Sequence, residues 1–387
     1  MKVTLDFSKI SSLKDSISLS QIKRRLSLLS PFRIISKRCL GVDIGTSSVR
    51  VVEMSSLGER KRMENYGEIK ASAFYKESFR SLDKTTLLLS DKNVAKAIKA
   101  ILEEAKITTR RAIFSIPDFS SFFTNFELPT MTEEEMVQAI KYEARRHVPL
   151  PLGEVTLDWQ VLDHRPSREE KKFKVLLVAV PNEVIEQYKN IAKMAGLELF
   201  ALEAEVFGLL RSVVKNEENP VAIVDIGAQT STCSIIDKNV LKNSHSFDLS
   251  GNELTDVVAK SLSVDYPTAE KLKEKYGVLL EQTAESLGEE HTREILLPFI
   301  DAILKEIDGV CNEFTRIEKK QVNKIILAGA SALLPGLADY SREYLKKEIE
   351  IANPFADIFC PPILEKKLKR MGPLYAIAVG VAMRGLE

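Results

Sequence analysis

The sequence Gly41–Met54, GVDIGTSSVRVVEM, decides the fold, because its plan returns at Val221–Asp237 as VAIVDIGAQTSTCSIID. Each copy starts with a short apolar run rich in β-branched residues, breaks at Asp-Ile-Gly, and resumes an apolar run of period two after several small residues. This pattern predicts a strand, a tight turn and a second strand. Small turn residues let backbone N–H groups approach an anion, and an aspartate at a strand end can hold hydrated Mg²⁺. Two such hairpins facing each other predict a clamp for phosphate groups.

The repeat extends beyond the hairpins. A third strand-like stretch follows each of them, at Gly67–Phe74 and at Val240–Leu249. A helical pattern follows in turn, at Asn93–Lys106 and at Asn252–Leu262. A single Asp-x-Gly turn is most often an ordinary hairpin, whereas a duplicated β-β-β-α unit indicates two halves built on one plan.

Composition limits the function classes. The chain has 387 residues, 44% of them apolar, which is enough for two or three packed domains. Lysine plus arginine equals aspartate plus glutamate at 55 each, so the overall charge indicates no nucleic-acid partner. No apolar run reaches the roughly 18–20 residues that cross a bilayer. The four cysteines are far apart, which argues against a zinc site and a disulfide framework, and we expect a cytoplasmic protein.

The first 38 residues differ from the rest, since they hold nine basic and two acidic side chains. Within this basic arm, Leu19–Ile35 spaces its apolar residues at helical intervals until Pro31 interrupts them. Three interpretations stay open: a solvated arm, a surface helix attracted to anionic lipid or an acidic partner, and an organelle-import presequence.

A third glycine-bearing segment, Lys324–Leu337, predicts a buried strand followed by a Gly-Ala-Ser turn. Such a turn is suited to lie against an adenosine. The order of two phosphate hairpins and an adenosine loop resembles the actin, Hsp70 and sugar-kinase superfamily over residues 39–387. Ala204–Val213 and Leu374–Met383 fit the helices that connect the halves in that superfamily, and both carry small residues. The resemblance implies a duplicated, actin-like (ribonuclease H-like) α/β fold. No catalytic aspartate of the sugar-kinase kind stands out.

Extra material follows the strand-like Arg111–Ile116. It predicts an inserted β-α-β-β-α module at residues 118–196, whose elements are Thr124–Leu128, Glu133–His147, Val155–Leu162, Phe173–Val180 and Glu183–Ala195. Thr132 and Glu135 form a capping-box pattern at the first helix. The predicted domains are the arm (1–38), a first half (39–117 and 197–217), the module (118–196) and a second half (218–387) with a helical subdomain around 263–300.

An insertion at this point resembles the cell-division protein family FtsA and, more closely, the PilM family of type IV pilus assembly. The closer likeness lies in Phe126–Val148, FELPTMTEEEMVQAIKYEARRHV, in Thr156–Val161, TLDWQV, and in Val264–Gly277. It implies a cytoplasmic ATP-binding protein, associated peripherally with the inner membrane, that docks the N-terminal tail of the inner-membrane protein PilN. We expect a groove between the module and the first half, with the candidate residues Phe122, Phe123, Tyr142 and Trp159. The alternative is that these aromatics are core residues.

The resemblance also assigns site residues. Asp43 and Asp225 would position Mg²⁺ through water, and Glu203 or Glu205 would orient an attacking water. The residues implied to contact ATP are Gly45, Thr46, Ser47, Ser48, Gly227, Gln229, Thr230, Gly251, Asn252, Glu270, Lys273, Gly329, Ala330 and Ser331.

Three places depart from the family pattern: Ala228 stands where relatives often have glycine, Ser250-Gly251-Asn252 stands instead of a double glycine, and the adenosine loop reads Gly329-Ala330. A positive φ at any of them would cost about 1 kcal/mol or more and narrow the pocket. We therefore expect ATP binding with weak hydrolysis at most. An active or polymerising ATPase and an FtsA-like division protein are the alternatives, and self-association stays open.

Overall fold

The computed structural model describes residues 5–6, 37–58, 60–74, 78–83, 86–162, 172–215, 217–279, 287–359 and 362–387. The basic arm therefore lies outside the described residues except at 5–6, 37 and 38, and none of its three interpretations is tested. Within the described part of the chain, no helix combines the length and apolarity needed to span a bilayer.

Sixteen strands and ten helices make up the described structure. The strands are β1 (Leu5–Asp6), β2 (Lys37–Ile44), β3 (Ser48–Leu57), β4 (Arg60–Lys70), β5 (Arg80–Asp83), β6 (Thr86–Leu89), β7 (Arg111–Ile116), β8 (Phe122–Pro129), β9 (Val155–Val161), β10 (Lys172–Pro181), β11 (Glu198–Ala204), β12 (Val221–Ile226), β13 (Ser231–Asp237), β14 (Val240–Phe247), β15 (Lys324–Ala328) and β16 (Glu348–Ile351). The helices are α1 (Ala71–Phe74), α2 (Asp91–Glu104), α3 (Glu133–His147), α4 (Asn182–Ala195), α5 (Glu205–Val213), α6 (Gly251–Leu262), α7 (Tyr266–Tyr276), α8 (Leu287–Glu318), α9 (Leu337–Leu345) and α10 (Glu365–Arg384).

The two large sheets share one five-strand topology, to which β1 adds an antiparallel edge strand in the first sheet, and this confirms the duplicated α/β fold. The first has the strand order β1-β11-β7-β2-β3-β4 and the second β14-β13-β12-β15-β16. In each, an antiparallel three-stranded meander is continued by parallel strands. The hairpin turns also match, since Gly45 N–H donates to Ser48 O at 2.8 Å and Gly227 N–H donates to Thr230 O at 3.1 Å.

The inserted module is built on a third sheet with the order β8-β10-β9. Helix α3 covers this sheet and starts at Thr132, whose side chain forms the predicted capping box with Glu135. Helix α4 differs from the expectation, because Val184, Ile185 and Tyr188 pack in the first-half core instead of the module. The physical reason is topological: parallel strands β7 and β11 need a crossover connection, and α4 supplies it. The module interrupts that crossover before α4.

Helices α5 and α10 cross between the halves with almost no room between their backbones. A Cβ atom on Gly380 would overlap the backbone of Gly208, and a Cβ on Gly41 of β2 would overlap Ala378 O of α10. The small residues of the two predicted connecting helices therefore do allow close packing. Helix α10 is longer than the sequence indicates, and it continues through Pro373.

Candidate functional site

The first hairpin presents Asp43 at the carboxyl end of β2. Ser115 Oγ donates to Asp43 Oδ1 at 2.8 Å, and an Arg50 guanidinium nitrogen lies 3.7 Å from Asp43 Oδ2. Thr46 and Ser48 are buried at the turn, whereas Ser47 is exposed. The backbone N–H groups of Thr46 and Ser47 donate to no described residue. This turn therefore keeps donors available to an anion.

The second hairpin is held by the start of α6. Gly251 N–H donates to Gly227 O at 2.9 Å, and Asn252 N–H donates to Ala228 O at 2.8 Å. Ser250 Oγ donates to the same Ala228 O at 2.9 Å. The first two N–H groups of α6 thus hold the hairpin that carries Gly227. Both of them already donate to carbonyl groups of that hairpin.

The third predicted segment lies against the second hairpin. Gly329 has φ +84°, and a Cβ there would lie 2.6 Å from Asp225 Oδ1. A Cβ on Gly251 would lie 2.6 Å from Ser331 Oγ. The structure therefore brings Asp225, Gly251, Gly329 and Ser331 together, and a glycine is required at position 329.

The three departures from the family pattern cost no backbone strain. Among the described residues, the non-glycine positions with positive φ are Lys106, Lys238, Asn239, Ser263, Lys319 and Lys346. Ala228, Ser250 and Ala330 are not among them, and Ser250 has the extended value φ −157°. The backbone conformation at these positions therefore gives no reason to expect a narrower nucleotide pocket.

Lys273 does not extend freely toward a ligand. Its Nζ donates to Gly251 O at 2.9 Å and to Thr255 Oγ1 at 2.6 Å. Burial lowers the pKa of this ammonium. Lys273 thus joins α7 to the start of α6 and supports the hairpin indirectly, while Glu270, on the same helix, is partly exposed.

A buried ionic cluster lies next to the two hairpins. Two of its residues, Arg80 and Asp118, are not among the site residues that the sequence predicts. Arg80 Nη1 donates to Glu205 Oε1 at 2.7 Å, and both side chains are almost fully buried. Asp118, also buried, accepts a hydrogen bond from the backbone N–H of Val206 at 3.1 Å. Asp118 follows β7 after Pro117, and Glu205 directly follows β11, so acidic residues near the ends of parallel strands were the available signal. For Arg80 there was no local signal.

The carboxyl groups of this cluster influence one another. Burial, then the charges of Glu205 and Asp43, raise the pKa of Asp225 to about 7. Burial and the Glu205 charge raise the pKa of Asp118 well above its usual range. Burial also raises the pKa of Glu205, although Arg80 opposes this. The two hairpin aspartates therefore face one acidic cleft, in which added positive charge is favourable.

The cleft fits a nucleotide phosphate chain with a hydrated metal ion. Within the described residues, Nε of Arg50 and Nε of Arg80 are buried without a hydrogen-bond partner, so both guanidinium groups keep a donor. No three His, Cys, Asp or Glu side chains among these residues are grouped closely enough to bind a metal directly. Mg²⁺ commonly uses one or two carboxylates, several waters and substrate phosphates, which agrees with such a donor set.

Glu203 lies outside this cleft. Arg211 Nη1 and Nη2 each donate to one Glu203 oxygen at 2.7 Å, and Arg384 Nε lies 3.8 Å away. Glu203 lies within β11, whereas Glu205 is the first residue of α5, so the change from strand to helix gives the two carboxyl groups different neighbours. The structure therefore does not bring Glu203 to the other predicted site residues.

The four predicted groove aromatics lie in different surroundings. Phe123 packs edge-on against Phe207 of α5, with ring centroids 6.1 Å apart. Phe122 and Trp159 are partly buried against the core of the module. Tyr142 on α3 is 64% exposed. Three of them therefore pack at the edge of a hydrophobic core while staying partly exposed, and Tyr142 is the most exposed of the four.

A model of the family described as "Type IV pilus assembly protein PilM" matches residues 41–386, almost the whole chain. The chain belongs to the PilM family. Among solved structures, a PilM-PilN type IV pilus biogenesis complex is similar with a TM-score of 0.76 and 23% identity, covering 90% of this chain and 98% of that one. The match spans the module as well as both halves.

More distantly similar proteins of other names share the fold. The ethanolamine utilization protein EutJ of Carboxydothermus hydrogenoformans has a TM-score of 0.54 and 15% identity, covering 92% and 90% of the two chains. MreB5 of Spiroplasma citri bound to ADP has a TM-score of 0.50 and 16% identity, covering 90% and 95%. FtsA of Enterococcus faecalis is 20% identical over 353 residues, 81% of this chain and 78% of its own. These likenesses confirm the actin-like fold of this PilM-family chain.

Proposed function

We propose that this chain binds ATP between its two hairpins and serves as a cytoplasmic platform for type IV pilus assembly. The observation that carries the proposal is the convergence of both hairpin aspartates, Asp43 and Asp225, on one acidic cleft beside Gly329. A PilM-PilN type IV pilus biogenesis complex is similar in structure, and MreB5 of Spiroplasma citri was solved with bound ADP.

The polar residues of the two hairpins and of the Gly329 segment have proposed roles. The turn at Thr46–Ser48 binds the phosphates from the first half, and Gln229 and Thr230 bind them from the second. Asp43 and Asp225 hold Mg²⁺ through water, and the ion would neutralise phosphate charge. Ala330 and Ser331 lie against the nucleoside, together with Asn252 and Glu270.

The geometry supports binding more than turnover. A general base must be free to accept a proton, but Glu205 forms a buried ion pair with Arg80. Glu205 does lie at the cleft, which favours an active ATPase as the second candidate. An exchange of partners by Arg80 would be needed before Glu205 could orient a water.

The proposed partner is the N-terminal tail of PilN, which would dock beside the module and hold the protein peripherally at the inner membrane. Tyr142 is the aromatic residue of the predicted groove that remains exposed. The module contacts the first half through Phe123 and Phe207. A ligand that brings the two halves closer together would therefore also change the contact between the module and the first half.

Isothermal titration with ATP, with and without Mg²⁺, tests the nucleotide site. We expect Asp225→Ala to weaken Mg²⁺-dependent binding at least tenfold, whereas Asp339→Ala, an exposed residue of α9, binds as the wild type does. Fluorescence anisotropy with a labelled PilN tail peptide from the same organism tests the partner, and phosphate release tests turnover. Equal ATP affinity in both variants would contradict the proposed site, and turnover of about one per second or faster would favour the ATPase.

A further inference from the structure

A basic patch with protruding apolar side chains lies where α10 begins, away from the nucleotide site. It consists of Phe359, Ile363, Lys366, Lys367 and Arg370. Ile363 is 89% exposed and Phe359 is 65% exposed, the two highest values among the large apolar side chains of the described residues. Large apolar groups this exposed mark interaction sites when they occur together.

The helical register places the charges beside the apolar tip. Pro362–Leu364 forms a short 3-10 turn that runs directly into α10 at Glu365. Lys366, Lys367 and Arg370, at i, i+1 and i+4, therefore lie on one side of α10, and Ile363 lies in the turn that leads directly into this helix. Leu368 is buried, so the opposite side of α10 faces the hydrophobic core. Glu365 is the one acidic residue between Ile363 and Arg370.

The positive charges are not neutralised by the fold. Lys366, Lys367 and Arg370 form no ion pair or side-chain hydrogen bond with any other described residue. They are all exposed. Solvated lysines are common, and it is the position of these three cations around Ile363, more than their number, that distinguishes this surface.

The β3–β4 hairpin extends the patch. Phe359 N–H donates to Lys61 O at 3.0 Å, which places the hairpin next to the loop. Leu57, at the end of β3, is 54% exposed and pairs across the hairpin with the exposed Arg60. The surface thus combines three projecting apolar side chains with cations on two different elements.

We propose that this basic patch docks on an anionic phospholipid bilayer. Ile363 and Phe359 enter the boundary between headgroups and acyl chains, and Lys366, Lys367 and Arg370 contact the phosphates. Stable attachment to a membrane takes both an apolar anchor and a positive charge, and this surface has both. A protein partner is less suited, because lysines are depleted in protein interfaces. Single projecting side chains also fit a deformable surface better than a rigid one.

Co-sedimentation of the full chain with vesicles, in the absence of PilN, tests the proposal. We expect binding to vesicles that contain phosphatidylglycerol, loss at high salt and little binding to phosphatidylcholine alone. Lys366→Glu with Lys367→Glu should reduce binding about tenfold or more, and Ile363→Asn several-fold. All three side chains are exposed, so the variants should retain the thermal stability and the ATP binding of the wild type.

Matched controls come from other exposed sites. Lys260→Glu with Lys271→Glu, on α6 and α7, and Ile317→Asn at the end of α8 make the same chemical changes, and these variants should bind vesicles as the wild type does. If the patch variants also bind normally, the lipid contact belongs to the basic arm and the proposal is wrong. If the wild type does not bind anionic vesicles, the proposal is equally wrong. Neither result depends on whether the nucleotide site functions.

Discussion

At the scale of single residues, charge compensation in the cleft is the feature with the clearest consequences. Arg80 is buried among carboxyl groups and bonds directly to Glu205 at 2.7 Å. Removing one member of a buried ion pair leaves an uncompensated charge, which costs more than the pair contributes. The pair therefore controls both the stability of the cleft and the state of Glu205.

Arg80→Met should lower the free energy of unfolding by about 3–5 kcal/mol, because the Glu205 charge is left alone in a buried site. Adding Glu205→Gln should recover much of this loss, so the two changes are not additive. Urea unfolding of the two single variants and the double variant measures the coupling. Arg342→Met, which breaks the exposed pair with Asp339, is the control and should change stability by less than about 1 kcal/mol. A double variant that is no more stable than Arg80→Met would refute the assignment.

Asp225 should make stability depend on pH in the nucleotide-free, metal-free protein. Its pKa is raised from 3.8 to about 7 on folding, so the folded state binds more protons between these values. The free energy of unfolding should therefore fall as pH rises from about 4 to about 7. Asp225→Asn should reduce this fall by roughly 1–3 kcal/mol, since one pKa unit corresponds to about 1.4 kcal/mol and water screens part of it.

Urea unfolding across this pH range makes the measurement. The slope should be reduced but not abolished, because the pKa values of Asp118 and Glu205 are raised as well. Asp225→Asn should also be the more stable protein above pH 7, although it binds ATP with Mg²⁺ less tightly. Identical slopes for the two proteins would show that Asp225 titrates normally.

At the scale of elements, the crossing of α5 and α10 joins the two halves. Gly208 and Gly380 meet there, and β2 approaches α10 at Gly41. Helix pairs that pass this closely depend on the absence of side-chain atoms at the crossing. The rigid arrangement of the cleft rests on this contact, because α5 starts with Glu205 and α10 accepts the N–H of Gly329 at Pro373 O.

Gly380→Ala should destabilise the protein by roughly 1–3 kcal/mol or more, since the added methyl group overlaps the Gly208 backbone and forces the helices apart. The matched control is Gly309→Ala within α8, where an added Cβ meets nothing within 4 Å. That control should be neutral or stabilising by about 1 kcal/mol, because alanine favours the helix. Thermal unfolding of both variants decides the point, and equal melting temperatures would contradict the close crossing.

At the scale of the whole molecule, the inserted module touches both halves. Phe123 of β8 packs on α5 of the first half, and Asn125 Nδ2 donates to Lys242 O of β14 in the second half at 2.9 Å. A ligand that moves one half relative to the other therefore acts on β8 from two sides. Such an element can couple a nucleotide to a partner, and the coupling must be reciprocal.

Asn125→Ala should weaken the effect of ATP on the affinity for the PilN tail by about two- to tenfold, the range that corresponds to one hydrogen bond. Affinity for the tail without nucleotide should change less. Anisotropy titrations with and without ATP give both values. Asn312→Ala is the control, since its amide donates to Asp308 on the surface of α8. An unchanged effect of ATP in Asn125→Ala would exclude this contact from the coupling.

The repeat, the order of the three glycine-bearing segments and the position of the insertion were predictable from the sequence, because each depends on local periodicity or on residues that turns require. Gly45, Gly227 and Gly329 are of this kind, and the structure places them in equivalent or facing turns. Glu203 and the groove aromatics were not predictable, since the face toward which a strand residue points depends on its partners in the sheet.

The sequence by itself determined that two β-β-β-α units share one plan, because hydrophobic period and turn chemistry are local properties. Only the tertiary structure decided that α4 belongs to the first half, that Arg80 pairs with Glu205, and that Ile363 projects beside three cations. Arg80 and Glu205 are far apart along the chain, and burial and electrostatic pairing arise only when the fold brings such residues into contact.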